Sequence, residues 1–377
     1  MKKSILFINQ SSGYLMIDII NAHAPYYDEM VLLTGFLNPR ESPLDEKVRV
    51  HYLIEYKRSS SLKRLFTWLL FWFQSWYYIF LKYRKSKLYF VSNPPLNTFT
   101  ATWTKRDFAF LNYDIYPDAL AQHKIISESS WFYKYWDKCN RKLYAKSKSL
   151  YTLSEGMKKA MKVQRPHDDK VEVVPVWTNN TFFKEIPASK NKFIEKFGLE
   201  DKFIVSYSGN LGKTHPVEKL IDLAAALVNE KDICFLIIGE GDKKDQLLKI
   251  QKKRRLPNLE ILDFQPTALF PHVLAAAHLG IVTLESDAAD LSVPSKTYNL
   301  MSAGKPILTI AKETSELAQI IKNNALGKNF AEHEIEDMCD FILALKNHDL
   351  KYQIMKTNSK KTSLKYTPEN AKLMILN

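Results

Sequence analysis

Short, unbroken apolar runs alternate with stretches of helical periodicity along the whole chain. SILFIN at residues 4–9 reads as a buried strand, and apolar residues at helical spacing follow from about Leu15 to Ala24. MVLLTG, VRVHYLI, LYFVS and FAFLNYD repeat the strand signal, and SLYTLS leads into a further helix at Glu155. Beyond VEVVPVWTNNTFF, a segment rich in Pro, Asn and Thr, the alternation begins again. FIVSYSG, ICFLIIG, LEILDF, LGIVTL and PILTI are strands there, separated by the helical segments VEKLIDLAAALVN, KKDQLLKIQKKR, LFPHVLAAA and TYNLMSA. Such alternation argues for βαβ units around parallel sheets. The pattern predicts two doubly wound α/β domains in tandem, residues 1–178 and 179–351. Ligands of such folds sit beyond the carboxyl ends of the strands, so the loops there are where chemistry is sought.

One predicted helix differs in composition. LFTWLLFWFQSWYYIFL, residues 65–81, is flanked by Lys63 and Arg64 on one side and by Lys82, Arg84, Lys85 and Lys87 on the other. It is shorter than the roughly 20 apolar residues that cross a bilayer and is interrupted by Gln74 and Ser75. Trp and Tyr prefer the headgroup region, and flanking cations attract anionic lipid. Taken alone, the segment fits a core helix, an interfacial helix or, less well, a span.

Composition narrows the partners. Across 377 residues the formal charge is +13 and the pI about 9.3, which calls for nucleic acid, a phosphorylated small molecule or a lipid surface. Cys139, Cys234 and Cys339 are odd in number and lack metal or redox spacing, so they fit buried thiols of a reducing compartment. MKKSILFINQ has the two lysines of a signal peptide, but its apolar part runs at once into Asn9 and Gln10. It reads better as the first strand of a cytoplasmic protein.

Four places carry candidate chemistry. In SYSGNLGKTHPVEKL, residues 206–220, a strand ends at Gly209, Gly212 follows, and Pro216 suits the first position of a helix. That loop offers backbone N–H groups and a helix start to an anion, with Lys213 as a point charge; a plain βα turn is the alternative. In SVPSKTYNLMSAGKPIL, residues 292–308, Pro294 and Ser295 open a short helix with Lys296 in its first turn, where the dipole opposes a cation unless a phosphate binds. Two such helix starts in one domain point to a diphosphate. Asp114, in YDIYPD, ends a strand of the first domain and can orient or deprotonate a hydroxyl, or simply make a turn. Gly13, after the first strand, allows backbone to approach a ligand. His23, His51, His123 and His272 lack ligand spacing, and neither a P-loop nor a dinucleotide fingerprint is present.

With these residues in place the chain resembles the retaining glycosyltransferases of family four, whose GT-B fold is α/β, two Rossmann-like domains facing across a cleft. The similarity is strongest to the bacterial branch that builds capsule, O-antigen and exopolysaccharide units on polyprenyl diphosphate. It rests on SNPPLNT and YDIYPDAL in the first half, then YSGNLGK at 207–213, FLIIGEGD at 235–242, PNLEILDFQP at 257–266 and SVPSKTYNLMSAGKPIL. The resemblance implies a nucleotide-sugar in the second domain. Gly209, Asn210, Gly212, Lys213, Ser295 and Lys296 would meet its diphosphate, and Gly239, Glu240 and Gly241 would line the site. Phe264, Gln265 and Pro266 would hold the base, and Tyr298 and Asn299 would border the donor. Gly13 would approach the donor from the first domain, and Asp114, with Lys213 and Lys296 as the catalytic set, would sit near the sugar or acceptor. No metal or other cofactor is implied, stereochemistry would be retained, and residues 352–377 would pack back on the first domain.

Two departures stand out. Asn210 occupies the position of the family's arginine, and the paired glutamates, eight apart, align with Leu291 and Asn299. Asn299 can still hydrogen-bond ribose, and Glu285 or Asp287 could replace the missing carboxylate. The expected activity is transfer of a sugar to a lipid-linked saccharide at the inner face of the plasma membrane. A non-hydrolysing nucleotide-sugar epimerase and a silent GT-B scaffold share the fold, whereas nucleic-acid binding lacks a recognition motif. Within this fold the aromatic helix lies between strands of one sheet, which leaves only a division of its faces. Trp68, Trp72 and Trp76, with Lys63, Arg64, Lys82 and Arg84, are the residues expected at the membrane or acceptor.

Overall fold

The computed structural model describes residues 2–376 apart from 40–41, 58, 123, 165–169, 213–214 and 285–292. The chain forms two units: residues 1–175 together with 368–377, and residues 176–367.

The first unit holds β1 (Ser4–Ile8), β2 (Ser11–Ser12), β3 (Glu29–Thr34), β4 (Phe36–Leu37), β5 (Val48–Tyr52), β6 (Lys87–Val91), β7 (Phe108–Asn112), β8 (Ser149–Thr152) and β9 (Val171–Val173). Seven of these make one parallel sheet in the order β5-β3-β1-β6-β7-β8-β9, and β2 pairs with β4 beside it. Ile5, Leu6, Phe7 and Ile8 are all fully buried, as a central strand covered on both faces must be. The order reverses direction between β1 and β6, so the loops that end in Gly13 and begin at Ser92 flank the switch point.

The second unit holds β10 (Phe203–Ser208), β11 (Ile233–Ile238), β12 (Leu259–Leu262), β13 (Leu279–Thr283), β14 (Ile307–Ile310) and β15 (Gly327–Phe330). They form a parallel sheet in the order β12-β11-β10-β13-β14-β15. Alternate residues feed two apolar layers. Val205, Tyr207, Phe235 and Ile237 pack with helices Glu218–Ala226 and Ile335–Asn347, and Ile204, Cys234, Leu236 and Ile238 with helices Lys192–Phe197 and Phe270–Ala276. The switch point falls between β10 and β13, the two strands whose following segments hold Gly209 and Lys296.

Two expectations need correction. The segment that returns to the first unit is 368–377, not 352–377. Helix Asp349–Ser363 belongs to the second unit, where Ser359 Oγ donates to Lys305 O at 2.8 Å and Lys360 Nζ to Ser302 O at 3.1 Å. The return itself is fixed by His23, fully buried, whose Nδ1 donates to Ile19 O at 2.7 Å while Nε2 accepts from the Leu376 N–H at 3.0 Å. The second correction concerns the aromatic helix, which runs Ser61–Trp76, capped by Ser60 Oγ on the Lys63 N–H, and continues as a π-helical turn over Tyr77–Lys82. Its tryptophans turn inward rather than toward a membrane. Trp68 is buried, and the half-buried Trp72 and Trp76 both donate their indole N–H to Thr100 Oγ1, at 2.7 and 3.1 Å. A half-buried indole needs a partner for its N–H, and helix Asn97–Trp103 supplies it. No helix among the described residues is long and apolar enough to cross a membrane.

Candidate functional site

The loop after β10 is built by close backbone approach. Gly209 has φ +153°, and its N–H donates to Ile238 O at 2.9 Å. A Cβ on Gly239, at the end of β11, would lie 1.9 Å from Gly209 O, and one on Gly241, with φ +150°, would lie 2.6 Å from the Leu211 carbonyl carbon. Only glycine satisfies both the conformation and the space. The Leu211 N–H donates to Glu240 O at 2.8 Å and the Lys243 N–H to Leu211 O at 3.0 Å, so the two glycine loops form one body. Tyr207 Oη donates to Asn210 O at 2.7 Å from below. Asn210 and Glu240 stand exposed at its rim, and Gly212 adjoins the Asn210 carboxamide.

Lys296 completes this body from the other side of the switch point. It begins helix Lys296–Ser302, for which the exposed Ser295 is the N-cap, with no hydrogen bond from its side chain. The Lys296 ammonium is buried, has no hydrogen-bond partner among the described residues, and sits 3.7 Å from the centre of the Tyr207 ring. A Cβ on Gly209 would come within 2.8 Å of it, so the ammonium lies against the glycine loop. Burial drives its pKa from 10.5 down to about 7. A cation–π contact recovers a few kcal/mol at most, less than the desolvation of an ammonium costs. An anion at the loop would supply what is missing. The same neighbourhood holds the buried Ser208 hydroxyl, also without a partner among the described residues.

His215 lies in the same neighbourhood. Its Nδ1 is 3.1 Å from Thr283 O at the end of β13, and burial, then the charge of Lys296, holds its pKa below the ordinary value. In the sequence this histidine stands in THPVEK, directly after the glycine loop. At the end of β12, Phe264 is half exposed beside Gln265, whose Nε2 donates to Asp263 O at 3.0 Å, and Pro266. Lys244 ties this strand end to its neighbour by bonding both Glu240, at 2.6 Å, and Asp263.

Tyr298 and Asn299 do not border an open site. Tyr298 is buried, with its ring 4.7 Å from that of Tyr366, and Asn299 is buried with Oδ1 accepting from Thr178 Oγ1 at 2.6 Å. Their helix is buried nearly all round, so both side chains serve the interior of the unit. Lys213, Leu291, Glu285 and Asp287 lie outside the described residues. In the first unit, exposed Gly13 caps helix Tyr14–His23 with nothing within 4 Å of its would-be Cβ. Asp114 is exposed at the carboxyl end of β7, where its N–H donates to Ser92 Oγ at 3.2 Å. Both stand at the carboxyl edge of the first sheet.

Two parallel-sheet α/β units, the second with a glycine loop at its switch point, give the chain the GT-B class of fold. Residues 189–362 match the family described as glycosyl transferases group 1. The chain is 24% identical over 244 residues to the probable glycosyltransferase WbjE of Pseudomonas aeruginosa, a match covering 63% of this chain and 61% of that protein. It is 29% identical over 148 residues to the putative colanic acid biosynthesis glycosyl transferase WcaI of Escherichia coli K12, covering 39% and 36%. The matches thus span less than two thirds of these relatives. Among solved structures, WaaG, a glycosyltransferase involved in lipopolysaccharide biosynthesis, superposes with a TM-score of 0.71 at 16% identity, covering 99% of this chain and all of WaaG. Anabaena Alr3699/HepE, solved with UDP and glucose, superposes with a TM-score of 0.70 at 14% identity, covering 98% and 97%.

Proposed function

We propose that this protein transfers a sugar from a nucleotide-sugar to a saccharide carried on polyprenyl diphosphate, with retention at the anomeric carbon, in the assembly of a surface polysaccharide. The observation that carries the reading is the buried, unpartnered ammonium of Lys296 against the Gly209 loop. Such a group costs stability until an anion arrives, and the N–H groups of a glycine loop favour the same charge. When the sugar–phosphate bond breaks, negative charge grows on the diphosphate, and a fixed cation in a dry site stabilises that charge more than the ground state. The exposed Phe264 at the neighbouring strand end offers a face to the base. The charge comes from lysine and backbone, so transfer is predicted to persist in EDTA. The structural likeness to a protein solved with UDP and glucose supports the donor class, and the match to WcaI supports the polysaccharide context.

Binding is read apart from activity by thermal stabilisation. A nucleotide that binds only the folded state raises its melting temperature, and a panel of UDP, GDP and dTDP sugars should show one clear responder. The Lys296→Met variant should lose that response. A variant that keeps full stabilisation by the same donor would remove Lys296 from the diphosphate.

A further inference from the structure

His215 has one ring nitrogen that the fold does not use. Its Nδ1 donates to Thr283 O, 3.1 Å away at the end of β13. A carbonyl oxygen only accepts, so Nδ1 carries the proton and the neutral ring is left with a bare Nε2. The residue is half-buried, and Nε2 makes no hydrogen bond with any described residue. The His215 carbonyl ties in a further loop, accepting from Lys243 Nζ at 2.8 Å. The segments that follow β10 and β11 and the end of β13 thus meet at this residue. Its surroundings are cationic. Tyr207 has the Lys296 ammonium 3.7 Å from its ring centre and the imidazole 6.5 Å from it, so both neighbour one phenol ring. Lys296 faces the imidazole from helix Lys296–Ser302 and Lys243 from the segment after β11, while Glu218 is already paired with Lys243 at 3.0 Å. Helix Glu218–Ala226 opens three residues later without a side-chain cap, and its dipole adds to the same positive field. Burial, then the charge of Lys296, holds the ring neutral. An anion beside it reverses that balance, because a nearby opposite charge favours the protonated ring.

We propose that His215 is a conditional cation of the donor site: neutral in the empty protein, it takes a proton from solvent at Nε2 when a nucleoside diphosphate binds, and donates a charge-assisted hydrogen bond to it. Nδ1–H stays on Thr283 O, and the N–H at Nε2 is the one bond that forms. Sugar transfer strengthens the effect. The released nucleoside diphosphate has one more ionisable oxygen than the sugar ester, with a pKa of about 6, so the imidazolium favours the cleaved product over the intact donor. A ring kept only to tie loops together would need Nδ1 alone, and asparagine would serve as well. The assignment rests on the reading of a diphosphate at the Gly209 loop.

The test reads protonation apart from activity. The imidazole Cε1–H signal of His215, assigned by its absence from His215→Asn, is followed by NMR against pH in the wild type, with and without whichever of UDP, GDP or dTDP stabilises the chain. It should titrate below the ordinary range in the free protein and at least about one pH unit higher with nucleotide bound. Asparagine keeps an N–H for Thr283 O but takes no charge. His215→Asn should therefore match wild type in melting temperature and in nucleotide affinity at about pH 8, and bind about tenfold more weakly at about pH 5.5. Comparing the two proteins at each pH cancels the titration of the nucleotide itself. A wild-type titration that nucleotide leaves unmoved, equal weakening at both pH values, or no weakening at the acid one would overturn the assignment. Should His215→Asn fail to fold, His215→Gln assigns the signal and the wild-type titration decides. No response to any of the three nucleotides would overturn the diphosphate reading and this assignment with it, whereas a responder with an unmoved imidazole overturns this assignment alone.

Discussion

The two units handle charge in opposite ways. In the second, one ammonium is buried without a hydrogen-bond partner among the described residues, against a loop of backbone whose glycines admit no side chain. In the first, cations such as Lys63, Arg84, Lys138 and Lys142 stand exposed at the surface. A buried cation in a rigid cradle discriminates one small anion by position, and its loss is costly because low dielectric amplifies it. Exposed cations act as a sum, are screened by salt and tolerate single losses. The contrast teaches that buried and exposed cations answer to different physics, and each unit predicts its own pattern of sensitivity.

The largest effect is expected where backbone meets backbone. Gly239→Ala puts a Cβ 1.9 Å from Gly209 O, with no flexible side chain to yield. We expect the second unit to lose more than about 3 kcal/mol, or its fold, as overpacking and strain combine; urea denaturation measures it. Lys296→Ala comes next, with a loss of at least about 10²-fold in kcat/KM, about 2.7 kcal/mol of transition-state stabilisation, while the apo protein is at least as stable as wild type because an unfavourable buried charge has gone. Gly209→Ala should imitate part of this, since its Cβ would lie 2.8 Å from the ammonium and push it from its place. No comparable single-site loss is expected among the exposed lysines of the first unit, and finding one there would erase the contrast.

How much of this was legible in the sequence follows the same division. Turn chemistry is local, so SGNLGK and GEG revealed the glycine loop, and the proline and serine before Lys296 marked its helix start. Strand alternation revealed both sheets and their order of appearance. Orientation was not legible where composition is uniform. The helix containing Tyr298 and Asn299 is buried nearly all round, so periodicity carries no information about which face meets a ligand. The aromatic helix is rich in rings on every side, and only the position of Thr100, which holds Trp72 and Trp76 inward, decides its wet face. Helix Asp349–Ser363 gives no sequence signal of which unit it belongs to; its contacts through Ser359 and Lys360 do.

A smaller effect concerns acid. His23 in the first unit and His278 in the second both have pKa values lowered by burial from 6.5 to about 4. His278 Nδ1 accepts from the Ile204 N–H at 3.0 Å, as His23 Nε2 does from Leu376. The unfolded chain therefore binds the extra protons between pH 6.5 and 4. Stability should be undiminished by these groups above pH 6.5 and fall as pH drops through that window, by on the order of 3 kcal/mol for each histidine. His23→Gln should flatten the decline in the first unit alone. The smallest effect expected is at the rim of the site, where Phe264→Ala removes only an exposed ring and should weaken nucleotide binding by about tenfold or less.

The central claim is that the Lys296 ammonium is held unpaired for a diphosphate, and the most direct test is the pH dependence of UDP binding by calorimetry. Its pKa is about 7 without ligand, and a bound phosphate must raise it, so binding above pH 7 takes up a proton. The account predicts that UDP affinity falls about tenfold per pH unit above pH 7, with proton uptake seen as a dependence on buffer ionisation enthalpy, and that Lys296→Met abolishes both. Affinity that is flat with pH in the wild type, or a decline that survives in Lys296→Met, would contradict it.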